Sequence, residues 1–129
     1  MKIEHIALWT KDLERIKDFY IEFFCGKSND KYINRKTGFE SYFITFDSGA
    51  RLEIMQMPSV PVNRNDIDEQ YTGYIHIAMS IGSRENVDEL TNRLRKEGYR
   101  VVSEPRETGD RYYESCVLDP DGNRIEITQ

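Results

Sequence analysis

The stretch GARLEI at residues 49–54 returns near the end of the chain as GNRIEI at residues 122–127. A shorter stretch, HIA, stands at residues 5–7 and again at residues 76–78. Both stretches keep their order and nearly keep their separation, which indicates that one supersecondary unit occurs twice. Each copy begins with His-Ile-Ala and closes with a Gly-x-Arg-apolar-Glu-Ile strand, so the chain is predicted to consist of two tandem modules.

The hydrophobic pattern gives both copies the same order of elements. A helix follows the first strand of each, with apolar residues at steps of three and four; Thr10 and Ser83 are the predicted N-caps, and Gly26 and Gly98 the predicted ends. Between residues 30 and 35 the pattern is weak. Strands are predicted at residues 3–9, 40–46 and 51–57 of the first copy and at 74–81, 99–102, 112–118 and 124–128 of the second. The predicted class is α+β, with two tandem βαβββ modules.

A polar stretch with Pro58 and Pro61 separates the copies. We therefore expect one domain spanning residues 1–129, made of a module at 1–57, a linker at 58–72 and a second module at 73–129. At this length a single compact domain is the ordinary outcome.

Composition excludes several classes of protein. The chain has 18 Lys and Arg against 23 Asp and Glu, a net charge of −5, which is unlike the basic face of a nucleic-acid binder. No apolar stretch approaches the ~20 residues of a membrane span. The N-terminus meets charge too early for a signal peptide, so a cytoplasmic protein is expected. Cys25 and Cys116 lack metal-knuckle spacing and are expected to be reduced and buried.

The chemistry is predicted to lie on four residues at matched positions of the repeat. The only two histidines of the chain, His5 and His76, begin the two copies, and Glu53 and Glu126 stand inside otherwise apolar closing strands. A carboxylate in mid-strand is costly to bury unless something compensates its charge. Taken singly, a strand histidine or glutamate usually just faces water or the core. Repetition of both residue types favours a shared role as metal ligands.

Two imidazoles and two carboxylates around one point would give a divalent metal a formally neutral site. This donor set suits Zn²⁺, Ni²⁺ or Co²⁺ first and is also compatible with Fe²⁺ and Mn²⁺. Four protein ligands in an octahedral shell would leave two positions for water or substrate oxygens. The sequence thus predicts one divalent transition metal per site, with a small molecule as partner.

These motifs resemble the vicinal oxygen chelate superfamily, that of glyoxalase, bleomycin resistance protein and dioxygenase. The resemblance covers essentially the whole chain, through HIAL at 5–8, DL at 12–13, DFY at 18–20, HIA at 76–78, DPDG at 119–122 and RIEI at 124–127. It implies that the modules form curled mixed sheets around a metal held by His5, Glu53, His76 and Glu126. A His-Glu-His-Glu set is most similar to that of glyoxalase I (lactoylglutathione lyase).

That resemblance implies a lyase or isomerase that abstracts a proton next to a carbonyl, with Glu126 as the first candidate for the base and Glu53 as the second. Trp9 stands where glutathione-using glyoxalases carry a basic residue, and Met57 lies in the region where an asparagine is expected. With Met55 they would form an apolar pocket mouth, or simply pack in the core. A substrate other than a glutathione adduct is therefore expected.

Two alternatives stay open at this point. The chain could be another metal-dependent member, such as a dioxygenase, a thiol transferase or an epimerase, or a non-enzymatic protein that sequesters a drug or metabolite. The concave apolar face of each module needs a partner module. By resemblance that partner comes from the same chain or from a second copy, and a homodimer is expected.

Overall fold

The structure, a computed structural model, describes all residues from 1 to 129. The chain divides into two compact units, Met1–Asn65 and Asp66–Gln129. The boundary falls inside the predicted linker, and no helix or strand lies between residues 57 and 75. The grouping of both modules into one domain stays a prediction.

Unit 1 is a five-stranded mixed sheet with one helix. The elements are β1 (His5–Trp9), α1 (Leu13–Phe24), β2 (Lys27–Ser28), β3 (Tyr32–Asn34), β4 (Phe39–Thr45) and β5 (Arg51–Gln56). The sheet has the order β1-β5-β4-β2, with β3 also pairing with β4; β1 is parallel to β5 and the other pairs are antiparallel. The short strand β3 lies in the region where the sequence pattern is weak, and β2 lies just before it.

Unit 2 repeats this arrangement with four strands. The elements are β6 (His76–Ser80), α2 (Arg84–Lys96), β7 (Val101–Glu107), β8 (Tyr113–Leu118) and β9 (Arg124–Thr128). The sheet has the order β6-β9-β8-β7, and its first strand, β6, runs parallel to its neighbour β9, as β1 does to β5. The α+β class with two curled, mixed sheets is confirmed.

Each helix packs on one face of its own sheet. In unit 1 the core between helix and sheet is rich in aromatic rings, and in unit 2 it is aliphatic, with one buried pair of hydroxyls. Thr91 Oγ1 and Ser115 Oγ lie 2.6 Å apart there, and the Thr91 hydroxyl also lies 2.6 Å from the carbonyl oxygen of Val87. The buried residues of the two helices are Leu13, Ile16, Phe19, Tyr20, Phe23 and Phe24 in α1 and Val87, Thr91 and Leu94 in α2.

Two details of the first helix differ from the prediction. The N-cap is Asp12, whose Oδ1 accepts from the Arg15 N–H at 3.1 Å, while Thr10 Oγ1 accepts from the Asp12 N–H one step earlier. The left-handed position at the end of α1 is held by Cys25 (φ 54°) and not by Gly26. A Cβ on Gly26 would lie 2.5 Å from Ile44 Cγ2, so close packing is what requires glycine there.

The second helix follows the prediction more closely. Ser83 Oγ accepts from the Asn86 N–H at 3.2 Å, and Gly98 has φ +90°, which confirms both ends. Both cysteines are free, but Cys25 is exposed and Cys116 half-buried, so the expectation of burial is wrong. Neither helix is long and apolar enough to cross a membrane.

Candidate metal site

The parallel pairing of β1 with β5 brings His5 and Glu53 together. His5 lies opposite Arg51, and Glu53 lies opposite Ala7, two residues further along. Side chains two apart share a face, so His5 and Glu53 project on the same side of the sheet. The distance from His5 Nε2 to Glu53 Oε2 is 3.7 Å. Leu52, which flanks Glu53, is buried on the opposite face, under α1.

Unit 2 builds the same pair by the same register. His76 lies opposite Arg124, and Glu126 opposite Ala78, in the parallel pair of β6 and β9. His76 Nε2 is 3.1 Å from Glu126 Oε2. Ile125 and Ile127, on either side of Glu126, are fully buried. Alternation along both closing strands therefore puts the carboxylate on the face that the helix leaves open.

Each pair has the chemistry of two ligands of one metal ion, and the pair in unit 2 also has the spacing. Ligand atoms about 2.1 Å from a divalent metal and at tetrahedral or octahedral angles lie about 3.0–3.4 Å apart. The nitrogen–oxygen distance of 3.1 Å in unit 2 lies within that range, and the distance of 3.7 Å in unit 1 lies just above it. The Glu53 and Glu126 side chains are only 16% and 25% exposed, which favours a role in which their charge is compensated.

The pairs are incomplete by themselves. Neither unit gathers three or more His, Cys, Asp or Glu side chains into a group that could hold a metal ion. Of the four predicted ligands, the structure brings His5 to Glu53 and His76 to Glu126. Each pair supplies one nitrogen and one oxygen, which is half of the predicted donor set.

The first pair has three further neighbours, Glu4, Arg51 and Phe43. Glu4 Oε2 is 2.5 Å from His5 Nδ1, and the other Glu4 oxygen pairs with the Arg51 guanidinium. The hydrogen bond with His5, with a further contribution from Arg51, lowers the pKa of Glu4. The Arg51 guanidinium lies 4.1 Å from the centre of the Phe43 ring, which meets the His5 ring edge-on at 5.5 Å. Adjacency of Glu4 and His5 was visible in the sequence, but the position of Arg51 depends on register.

The second pair has different neighbours. Cys116 lies opposite Glu126 in the register of β8 with β9, the place that Phe43 has opposite Glu53. Burial raises the pKa of the Cys116 thiol, which keeps it protonated near neutral pH. Arg124 donates to the carbonyl oxygen of Ile67. Both pairs are thus flanked by an arginine, with different partners.

Of the three predicted substrate-binding residues, two lie on β1 and β5 and the third follows β5. Trp9 pairs with Met55 in register and shares the open face with His5 and Glu53. Trp9 is 41% exposed and meets Phe39 edge-on at 5.9 Å. Met57 follows the end of β5, where its carbonyl oxygen accepts from the Val60 N–H. An apolar surface therefore continues from the first His–Glu pair.

Comparison with known proteins supports the fold and places the family. An uncharacterized protein of Bacillus subtilis (strain 168), YqjT, is 25% identical over 128 residues, which cover 97% of this chain and 96% of that protein. The glyoxalase I of Leishmania major, described as trypanothione-dependent, superposes with a TM-score of 0.79 at 24% identity, over 100% of this chain and 86% of that one. A variant of glyoxalase I from Zea mays gives a TM-score of 0.80 at 23% identity, over 99% of this chain and 44% of that one.

The solved structures share the fold, and the family follows from the sequence itself. The profile of the glyoxalase/bleomycin resistance protein/dioxygenase superfamily matches residues 2–127, which is nearly the entire chain. The matched range includes both His–Glu pairs and the register that forms them. The chain belongs to the glyoxalase/bleomycin resistance protein/dioxygenase superfamily.

Proposed function

We propose that the protein is a metal-dependent lyase or isomerase of the glyoxalase I type, which abstracts a proton next to a carbonyl of a small oxo-compound or thiol adduct. The observation that carries the proposal is the His–Glu pair, formed twice by the same register on the open face of each sheet. In a repeat that had lost its function, the histidine and the glutamate would not be expected at matching positions in both units.

The ligands of the metal in this proposal are His5, Glu53, His76 and Glu126. The nitrogen–oxygen set suits Zn²⁺, Ni²⁺ or Co²⁺, and also Fe²⁺ or Mn²⁺. A complete set of four ligands needs the pair His5–Glu53 together with the pair His76–Glu126. In this proposal the two pairs come either from one chain or from the two chains of a homodimer. When bound, the ion would polarise the substrate carbonyl and stabilise the negative charge that develops on its oxygen.

The carboxylates of this chain supply the proton transfer. In the proposal Glu126 takes the proton from the carbon next to the carbonyl and returns it to the neighbouring carbon. Glu126 is the more exposed of the two carboxylates, and this supports it as the base over Glu53. Trp9 and Met55, on the face of the first pair, favour an apolar substituent on the substrate over a charged tripeptide.

The proposal is tested by metal content. Wild-type protein, purified without chelator or affinity tag, is expected to contain about one transition-metal ion per chain, because each chain carries two half-sets of ligands. Glu126→Gln and Glu53→Gln are expected to lose most of it, since each replaces an anionic oxygen ligand by a neutral one. Glu89→Gln, on the exposed side of α2, is the matched control and is expected to retain the metal.

Elemental analysis of the wild type and of the three variants tests whether the four residues bind a metal. Loss of metal from the two site variants alone would justify screening hemithioacetals of 2-oxoaldehydes with a series of thiols. Wild-type protein that stays free of metal after incubation with Ni²⁺ or Zn²⁺ would contradict the enzyme proposal. The open face would then be tested as a binding surface for drugs or metabolites.

A further inference from the structure

The Glu4 carboxylate lies between His5 and Arg51. One carboxylate oxygen is 2.5 Å from His5 Nδ1, and the other pairs with the Arg51 guanidinium. The backbone repeats this connection, because the carbonyl oxygen of Glu4 accepts from the Arg51 N–H at 3.1 Å. Side chain and main chain thus hold Glu4 immediately before β1, beside the histidine.

Arg51 is itself held in place. Its guanidinium lies over the Phe43 ring at 4.1 Å, within the range of a cation–π contact. The same ring meets the His5 imidazole edge-on. Glu4 and Phe43 therefore both contact the His5 ring, and Arg51 contacts each of them.

The two ring nitrogens of His5 face different carboxylates. An ionised carboxylate only accepts hydrogen bonds, so contact with Glu4 requires the proton to be on Nδ1. A neutral imidazole carries one N–H, which leaves the lone pair on Nε2, the nitrogen that faces Glu53. Glu4 and Glu53 thus contact different nitrogens of the ring, so Glu4 does not bind the same ion as Nε2.

We propose that Glu4 is a positioning residue that fixes His5 in its Nδ1–H tautomer and so presents Nε2 to a metal ion. This inference rests on the proposed function for its metal, but the tautomer can be measured without one. Carboxylates that hydrogen-bond the second nitrogen of a ligating histidine fix its orientation and raise its basicity. In this chain only one of the two histidines has such a partner.

His76 lacks the arrangement. Ile75 precedes it where Glu4 precedes His5, and Arg124 donates to the Ile67 carbonyl. No side chain hydrogen-bonds His76 Nδ1, so nothing selects its Nδ1–H form. The two halves of the site are therefore unequal: His5 is prepared for the metal, and His76 is not.

The tautomers are read from long-range proton–nitrogen spectra of the metal-free protein at about pH 8, above the pKa of a free imidazole. With two histidines in the chain, His76→Gln assigns the signals. We expect His5 to be predominantly Nδ1–H in wild type and in Glu4→Gln, whose amide oxygen still accepts. Glu4→Ile places before His5 the residue type that precedes His76. In this variant the tautomer of His5 is expected to become the same as that of His76. A wild-type His5 that is Nε2–H, or that Glu4→Ile leaves unchanged, overturns the proposal.

Metal affinity is the second measurement. Competition of Co²⁺ between the protein and a chelating dye is expected to show about tenfold weaker binding by Glu4→Ile and partial recovery in Glu4→Gln. Unchanged affinity in Glu4→Ile would overturn the role toward the metal. A wild type that binds no Co²⁺ while His5 stays Nδ1–H would overturn the proposed function and the metal role, but not the orientation of His5.

Discussion

Units 1 and 2 have the same strand register around their His–Glu pairs but different residues next to them. In unit 1, Phe43 lies opposite Glu53, whereas in unit 2 Cys116 lies opposite Glu126. The histidine of unit 1 contacts Glu4, and the histidine of unit 2 follows an isoleucine. Placement of the four donors therefore depends on backbone pairing, which the repeat preserves. The neighbours that tune each donor have diverged.

The cores of the two units likewise share their strand register but differ in their side chains. Equivalent register positions carry Tyr42 in unit 1 and Ser115 in unit 2, opposite Ile54 and Ile127. The tyrosine hydroxyl donates to Glu14, whereas the serine hydroxyl pairs with Thr91. Both solutions satisfy a polar group next to a helix, so the fold tolerates different core chemistry as long as each polar group has a partner.

Replacing Glu126 and Glu53 in turn is expected to show the largest functional difference between the two units. With a hemithioacetal substrate and saturating metal, Glu126→Gln is expected to lower kcat by about 10²–10⁴-fold, because the amide cannot take the proton. Glu53→Gln is expected to lower kcat less, since its proposed role is mainly to hold the metal. The rates are compared per bound ion, with Glu89→Gln as control. The reverse order would move the base to Glu53.

The glycines that follow the two helices, Gly26 and Gly98, are required for different reasons. Close packing requires glycine at position 26, and a left-handed backbone favours it at position 98. A Cβ on Gly26 would meet Ile44 at 2.5 Å and the carbonyl oxygen of Tyr20 at 3.1 Å, whereas nothing lies within 4 Å of one on Gly98. Gly26→Ala is expected to cost about 3 kcal/mol through overpacking. Gly98→Ala is expected to cost about 1 kcal/mol, because an alanine at φ +90° is strained but has room.

Urea unfolding of the two alanine variants measures these costs. Equal losses of unfolding free energy would show that unit 1 relaxes around the added methyl group. A larger loss for Gly98→Ala would contradict the assignment of close packing to Gly26 and of strain to Gly98.

The repeat made the fold and the two His–Glu pairs predictable, because period-two alternation places a mid-strand glutamate opposite its buried neighbours. Features that depend on three-dimensional approach were not predictable. Gly26 could not be distinguished from a left-handed helix end without the position of Ile44. The contact of Glu4 with Arg51 needed the pairing of β1 with β5. Whether the two pairs share one ion stays a prediction.

The first-turn glutamates of the helices, Glu14 and Glu85, have lowered pKa values from different contacts. Glu14 lies 2.5 Å from Lys17 Nζ and 2.6 Å from Lys31 Nζ. Hydrogen bonds from Lys17 and then Lys31, helped by Tyr42, lower the pKa of Glu14 to about 2 from 4.5. The pKa of Glu85 is lowered by a hydrogen bond with its own backbone N–H and one from Ser83, without any lysine.

A carboxylate with a lowered pKa stabilises the fold above its unfolded pKa, and that contribution is lost as the pH falls toward the folded value. For Glu14 the loss is expected between about pH 4.5 and pH 2. The side chain is 48% exposed, so solvent screening limits the contribution to less than about 1 kcal/mol. Unfolding free energies of wild type, Glu14→Gln and Glu85→Gln are compared from pH 7 to pH 2. Wild type and Glu14→Gln are expected to differ at pH 7 and to converge at pH 2. A constant difference would mean that the lysine contacts do not hold Glu14 ionised.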